Sequence, residues 1–266
     1  MSNIQPHDRI MLIDGQTKYN LEHNPSLEKL FSDFEICTIK ELRGTEIIKK
    51  NSHEYQLDKN GFYALSPLYE NLYYPLRQYN EMYQQDLQDL IRKFSFYMGA
   101  KRVKFFRREQ HCYIVQQDFI TKLQADISKG VQLLNLSAEY RHENKGEEKG
   151  TLEIASEQDG NGEVLYSKEE LMDWIKREKI VIRGIPSFFR LHVETYLDRG
   201  KLNVKNIAQS ERSEENIRNN AQLSCAISLA LPCLPKFISA NLDATFNASS
   251  SSEYSFLSEI RCEIEF

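Results

Sequence analysis

Five cations around two aromatic rings make the densest candidate chemistry in the chain: Lys101, Arg102, Lys104, Arg107 and Arg108 surround Phe105 and Phe106 in KRVKFFRRE. Ammonium and guanidinium groups at this density can grip phosphate oxygens, so these five residues form a candidate site for an anionic surface, either nucleic acid or an anionic membrane. A structural reading competes with it. On a strand, Val103 and Phe105 face one way while Arg102, Lys104 and Phe106 face the other, which is an ordinary amphipathic strand with a solvated basic face. We favour that reading, because a net charge of −5 gives the chain as a whole no attraction for polyanions. Nucleic acid is not an expected partner; an anionic membrane ranks behind a protein partner.

Catalytic signatures are sparse. The six histidines (His7, His23, His53, His111, His142 and His192) form no HExxH or HxH pair, so a metal site would have to be assembled from distant segments. His111 and Cys112 are adjacent, hence on opposite faces of a strand, and poorly placed as base and nucleophile. No GxxxxGK[ST], GxGxxG or GxSxG motif is present. The glutamates at 143, 147, 148, 169, 170, 214 and 215 sit in charge clusters that read as solvated surface. No catalytic residue, metal ligand or cofactor is assigned, and an enzyme with a site formed only in three dimensions is the third-ranked class.

One stretch resembles a single EF-hand calcium loop with its exiting helix. EQDGNGEVLYSKEELMDWIKRE places Asp159, Asn161 and Gly162 at the third, fifth and sixth loop positions. Calcium there needs about seven oxygens, including a bidentate Glu at position twelve. Lys168 occupies that position, Glu169 falls one residue late, Glu157 replaces the first Asp, and the incoming TLEIAS reads as a strand. The expectation is a Gly-rich turn between a strand and a capped helix.

Five cysteines (Cys37, Cys112, Cys225, Cys233 and Cys262) are scattered, odd in number and without a CxxC, as in a protein with reduced thiols; the cytoplasm is the expected compartment. The N-terminal MSNIQPHDR lacks a basic region followed by an apolar run, so no secretory signal is expected. No run of about 18 apolar residues is available for a membrane-spanning helix.

The element that must position everything else lies over residues 75–99. Leu76, Tyr79, Met82, Tyr83, Leu87, Leu90, Ile91, Phe94 and Met98 recur in steps of three and four, the pattern of one buried helix face. Pro75 suits the first helical position and Gly99 the residue just past the end, giving a helix roughly 36 Å long. Residues 1–66 read as short mixed elements continuous with the core of 67–266. They hold a strand at 9–13, a helix at 26–34 capped by Ser26, an ambiguous stretch at 36–48, and a strand at 62–65.

Beyond the long helix, 102–106 and 112–115 read as a hairpin turning at 107–111, followed by a helix near 118–127. Residues 131–140 and 151–155 read as a second hairpin with a charged tip at 142–150. Ser167 and Glu170 make a capping box for a helix with Leu171, Trp174 and Ile175 on one face. A brief strand is expected at 180–182. Pro186, Gly200 and the spacing of Phe189, Val193, Tyr196 and Leu197 favour helix over strand for 186–199.

Residues 202–207 read as a strand and 208–221 as a mobile polar linker, so that deleting 209–220 would leave thermal stability nearly unchanged. LSCAISLAL (223–231) alternates bulky and small residues as a strand would. So does 237–246, through Ile238, Ala240, Leu242, Ala244 and Phe246. In the last strand Tyr254, Phe256, Ile260, Cys262, Ile264 and Phe266 share one face.

These elements predict an α+β fold: a mainly antiparallel sheet packed against the long central helix and two or three shorter helices. The expected function is that of a non-enzymatic interaction or effector protein, binding a protein partner through the hairpin tip at 142–150 and the 208–221 loop. The alternative is a membrane-acting β-hairpin protein of the pore-forming type. It would approach lipid through the basic strand at 101–108 and insert the strand at 223–231.

Overall fold

The computed structural model describes residues 8–43, 57, 60–114, 116–133, 135–136, 153–212, 215–242 and 253–266. In the N-terminal part, β1 (Arg9–Leu12) leads through α1 (Gly15–Glu22) and α2 (Pro25–Leu30) to β2 (Glu35–Cys37) and α3 (Ile39–Leu42), then β3 (Gly61–Leu65) and β4 (Tyr73–Pro75). The long helix α4 (Tyr79–Tyr97) follows, then β5 (Arg102–Tyr113), α5 (Gln116–Asp126), β6 (Glu153–Asp159), α6 (Lys168–Glu178) and α7 (Ser187–Arg199). The chain closes with β7 (Asn206–Arg212), α8 (Glu215–Ala230), α9 (Lys236–Leu242) and β8 (Glu253–Glu265).

The long helix forms where its apolar spacing places it. Tyr79, Tyr83, Leu87, Leu90, Ile91 and Phe94 are its buried face, and a 3-10 turn over Leu76–Gln78 leads into it. Pro75 does not open the helix; it closes β4, with an extended ψ of 128°. Gly99 follows the last turn at φ +95°, a left-handed conformation that a side chain would strain.

Two four-stranded sheets surround it. The first has the order β2-β1-β3-β4, with β1 parallel to β2 and antiparallel to β3. The second, fully antiparallel, has the order β6-β5-β8-β7. One continuous core joins Met11 and Phe62 of the first sheet to Leu87 and Phe94 of α4 and to Phe105 and Ile264 of the second. A smaller cluster, Ile10, Leu12, Tyr63 and Tyr73 with Leu42 of α3, lies on the other side of the first sheet. The class is α+β with mainly antiparallel sheets, as the periodicities predict.

Several elements differ from those expectations, each for a physical reason. Residues 223–231 are not a strand: they form most of α8 and its 3-10 end. Ala221, Gln222, Leu223, Cys225, Ala226, Ile227, Leu229 and Ala230 are all buried, leaving only the half-buried Ser224 and Ser228 to mark an outer face in this stretch, so its 3.6-residue period is muted. Ala and Leu are strong helix formers, and the alternation of small residues there carries no pleat.

Residues 236–242 are also helical rather than extended; Ile238 and Leu242, four apart, satisfy both periods. The rest of that expected strand, 243–246, lies outside the described residues. The expected linker at 208–221 is instead β7 followed by α8, and the strand expected over 202–207 begins only at Asn206.

The expected turn at 107–111 is the middle of β5, which runs unbroken for 12 residues against β8. RREQH contains none of the Gly, Pro, Asn or Asp that a tight turn demands. Of the second expected hairpin, Leu133 and Leu136 are buried in a helical turn, β6 is a strand, and the tip at 142–150 lies outside the described residues. The expected strand at 180–182 reduces to a single bridge between Tyr69 and Ile180, then a 3-10 turn. Asn24, not Ser26, caps α2, with Pro25 in its first turn.

The last strand carries an irregularity the alternation does not show. Glu259 lies opposite Arg108 and Leu257 opposite Glu109, so Ser258 is an extra, bulged residue. An inserted residue reverses the faces beyond it. Leu257 therefore shares the α4-facing side with Ile260, Cys262 and Ile264, whereas Phe256 faces the other way, under the guanidinium of Arg218, 5.3 Å from the ring centre.

Candidate functional site

The five cations of the basic strand do not stand together. Arg102 and Lys104 lie on one face of β5, where Arg102 Nε donates to Asp159 Oδ1 at 2.8 Å and Lys104 Nζ lies 3.0 Å from Glu157. Arg108 pairs with Glu259 at 3.1 Å. Arg107 turns to the opposite face, where its Nη1 donates to the buried Gln84 of α4 at 2.9 Å. Lys101, just before the strand, donates to the carbonyl of Phe266 at 3.0 Å. Each cation thus has an oxygen partner, and three of those partners are carboxylates on neighbouring strands, which lowers the positive potential an anion would meet.

The second sheet has two unlike margins. On the β6 side, Ala155 is an extra residue between Ser156, opposite Phe105, and Ile154, opposite Phe106; the strand also carries Glu153, Glu157 and Asp159. On the β7 side, seven pairs from Asn206–Glu265 to Arg212–Glu259 run without a register shift. Ala208, Gln209 and Ser210 are exposed in succession. Because successive side chains point to opposite faces, three exposed in a row leave both faces of β7 open there. A shallow groove of about 260 Å³ lies across this end of the sheet, with Glu263 and Glu265 of the central β8 between Arg102 and Lys104 of β5 and Asn206 and Ala208 of the edge strand β7.

A deeper cleft of about 370 Å³ opens between three elements. The entry to α4 contributes Leu76, Arg77, Asn80 and Glu81; α8 contributes Ala221, Ser224, Cys225 and Ser228; and β8 contributes Glu253, Tyr254 and Ser255. Asn80 Oδ1 accepts the Leu257 backbone N–H at 2.8 Å, which ties α4 to the bulge of β8. Glu253 is held by His111 Nδ1 at 3.1 Å. Ser228 Oγ donates to the Ser224 carbonyl, so its lone pairs remain available to accept. Arg77 and Glu81 are exposed and make no ion pair or side-chain hydrogen bond with any described residue. Of the cleft residues, the sequence points only to Leu76, Cys225 and Tyr254, and to those as apolar faces or a thiol rather than as a site; the signal requires knowing that 76–81, 221–228 and 253–255 meet.

No family model, curated protein or solved structure matches this chain. Its chemistry therefore has to be read from its own side chains. Burial pushes the Cys225 thiol up to about 12, and burial with the nearby Glu35 and Glu41 carboxylates does the same for Cys37. Such thiols stay protonated and are poor nucleophiles. Cys112 is buried beside Tyr254, whose hydroxyl is itself pushed up chiefly by burial.

The EF-hand-like stretch is a turn between β6 and the capped α6: Asn161 Oδ1 accepts the Glu163 N–H, and Glu170 and Ser167 close a capping box. Glu157 and Asp159 are already paired with Lys104 and Arg102. Among the described residues no group of three or more His, Cys, Asp or Glu could hold a metal ion. No helix among them is long and apolar enough to cross a membrane.

Proposed function

We propose that this chain is a non-enzymatic interaction protein of a reducing compartment such as the cytoplasm, and that its protein partner adds an extended segment to the margin of β7 that pairs with no described strand. The contrast between the two margins of one sheet carries this reading. Bulges and charges on an edge strand discourage another strand from pairing with it, and β6 has both. β7 has a regular register, small residues at Ala208 and Ser210, and open faces. Added strands gain affinity from main-chain hydrogen bonds and specificity from alternate side chains. The groove beside Ala208 would take one such side chain, and the row of Glu263, Glu265, Lys104 and Arg102 running inward from it suits a polar residue. Five free thiols support the reducing setting. The contact surface differs from the flexible loop expected at 208–221, because that stretch is an edge strand followed by a buried helix.

Backbone N–H groups of an edge strand alternate between the neighbouring strand and the free margin, so proline separates the two roles. Of Ala208→Pro and Gln209→Pro, one should break the ladder to β8 and lower the melting temperature. The other should leave it and abolish partner binding. Extended peptides selected by display against the full chain should slow amide exchange across 206–212 when bound. Selected binders that leave this exchange unchanged and tolerate both prolines would overturn the reading.

A further inference from the structure

We infer that the cleft between α4, α8 and β8 is a binding site for a small zwitterion of the amino-acid or dipeptide class, a site separate from the β7 margin. The charge arrangement points to this ligand. Arg77 and Glu81 stand four residues apart at the entry to α4, on the cleft wall, with no partner among the described residues. Arg77 lies in the 3-10 turn before α4 and Glu81 in the helix's first turn, and both line the same cleft, so one small molecule seated there can meet both side chains. A ligand carboxylate has Arg77 as a forked donor, and an ammonium has Glu81.

The remaining lining completes the match. Ser224, Ser228 and Ser255 supply hydroxyls that donate or accept, while Leu76, Ala221 and Cys225 give an apolar wall for a side chain. Glu253, the cleft's other carboxylate, is already engaged by His111. One cation facing two carboxylates disfavours a phosphate or polyphosphate ligand. A volume of about 370 Å³ is at the lower end of ligand sites, which run from roughly 300 to 1,000 Å³. That holds an amino acid or a dipeptide.

Isothermal titration of the full chain with free amino acids, simple dipeptides, N-acetyl amino acids and amino-acid amides tests the inference. Zwitterions should bind, and the two blocked series, each lacking one charge, should bind at least about tenfold more weakly. Preference for free amino acids over dipeptides, or the reverse, identifies which of the two sources the cleft takes. Arg77→Gln and Glu81→Gln, both at exposed positions and so expected to fold normally, should each lose about tenfold or more in affinity. Absence of heat with every zwitterion at millimolar concentration overturns the inference. Equal binding of the blocked compounds does so too, as does binding that both substitutions leave intact.

Discussion

Asn80 Oδ1 accepts the backbone N–H of Leu257 at 2.8 Å, a bond across 177 positions that seats the first turn of α4 on the bulge of β8. Leu257 is fully buried there, on the face that the extra residue Ser258 has reversed. Asn80→Ala removes this acceptor and is expected to cost about 1 kcal/mol. Chemical denaturation should show a lower midpoint with an unchanged slope.

Gly184 lies where two backbones meet. A Cβ built on it would fall 1.7 Å from the carbonyl oxygen of Pro67. The two segments around it are tied by Val181 N–H to Leu68 O and Glu70 N–H to Lys179 O, so the backbone cannot easily withdraw. Gly184→Ala should destabilise by about 3 kcal/mol. A melting temperature equal to wild type would show that the approach relaxes freely.

Acid should act through Asp14, the N-cap of α1. Its carboxylate accepts the Thr17 hydroxyl, then the Thr17 and Gln16 amides, and these bonds hold its carboxyl below the usual carboxylate range. A depressed folded pKa means stability that is present above the unfolded value, about 3.9, and lost as pH falls through the folded one. Asp14→Asn keeps an acceptor but does not titrate. Its urea midpoint should fall less than that of the wild type between about pH 6 and about pH 3.

Alkali should act through the buried thiols. With Cys225 and Cys37 raised to about 12, their contribution is intact below the unfolded thiol value of about 8.5 and disappears as pH climbs towards 12. Cys225→Ala should flatten part of that decline. Reaction of Cys37 and Cys225 in the native protein with a disulfide reagent should be slow and should accelerate sharply on unfolding; fast native labelling of Cys225 would contradict its burial.

Deleting residues 209–220 is expected to abolish the cooperative melt. The excision takes Gln209–Arg212 from β7 and, from α8, Ile217 and Asn220, both buried. A melting temperature near wild type would show that the chain can dispense with this edge of the sheet.

Local pattern alone determined the elements whose partners lie on one side. The long helix shows its stripe because only one face is buried, and α6 announces itself through Ser167 and Glu170 and the face of Leu171, Trp174 and Ile175. The α+β class follows from such amphipathic elements. Where burial runs nearly all round, as over 220–230 of α8, the stripe is muted, and small residues imitate a pleat until tertiary contacts show otherwise.

The site was less legible than the fold. The basic residues of β5 are evident in sequence, but the carboxylates that neutralise them, Glu157, Asp159 and Glu259, come from strands separated from β5 by about 40 to 150 positions in the chain. The cleft likewise exists only where three remote segments converge, with one amide of α4 fixed to a bulge whose position depends on strand register. Periodicity encodes which face of an element is buried; it does not encode which distant element buries it, because that depends on long-range pairing and packing rather than on neighbours in the chain.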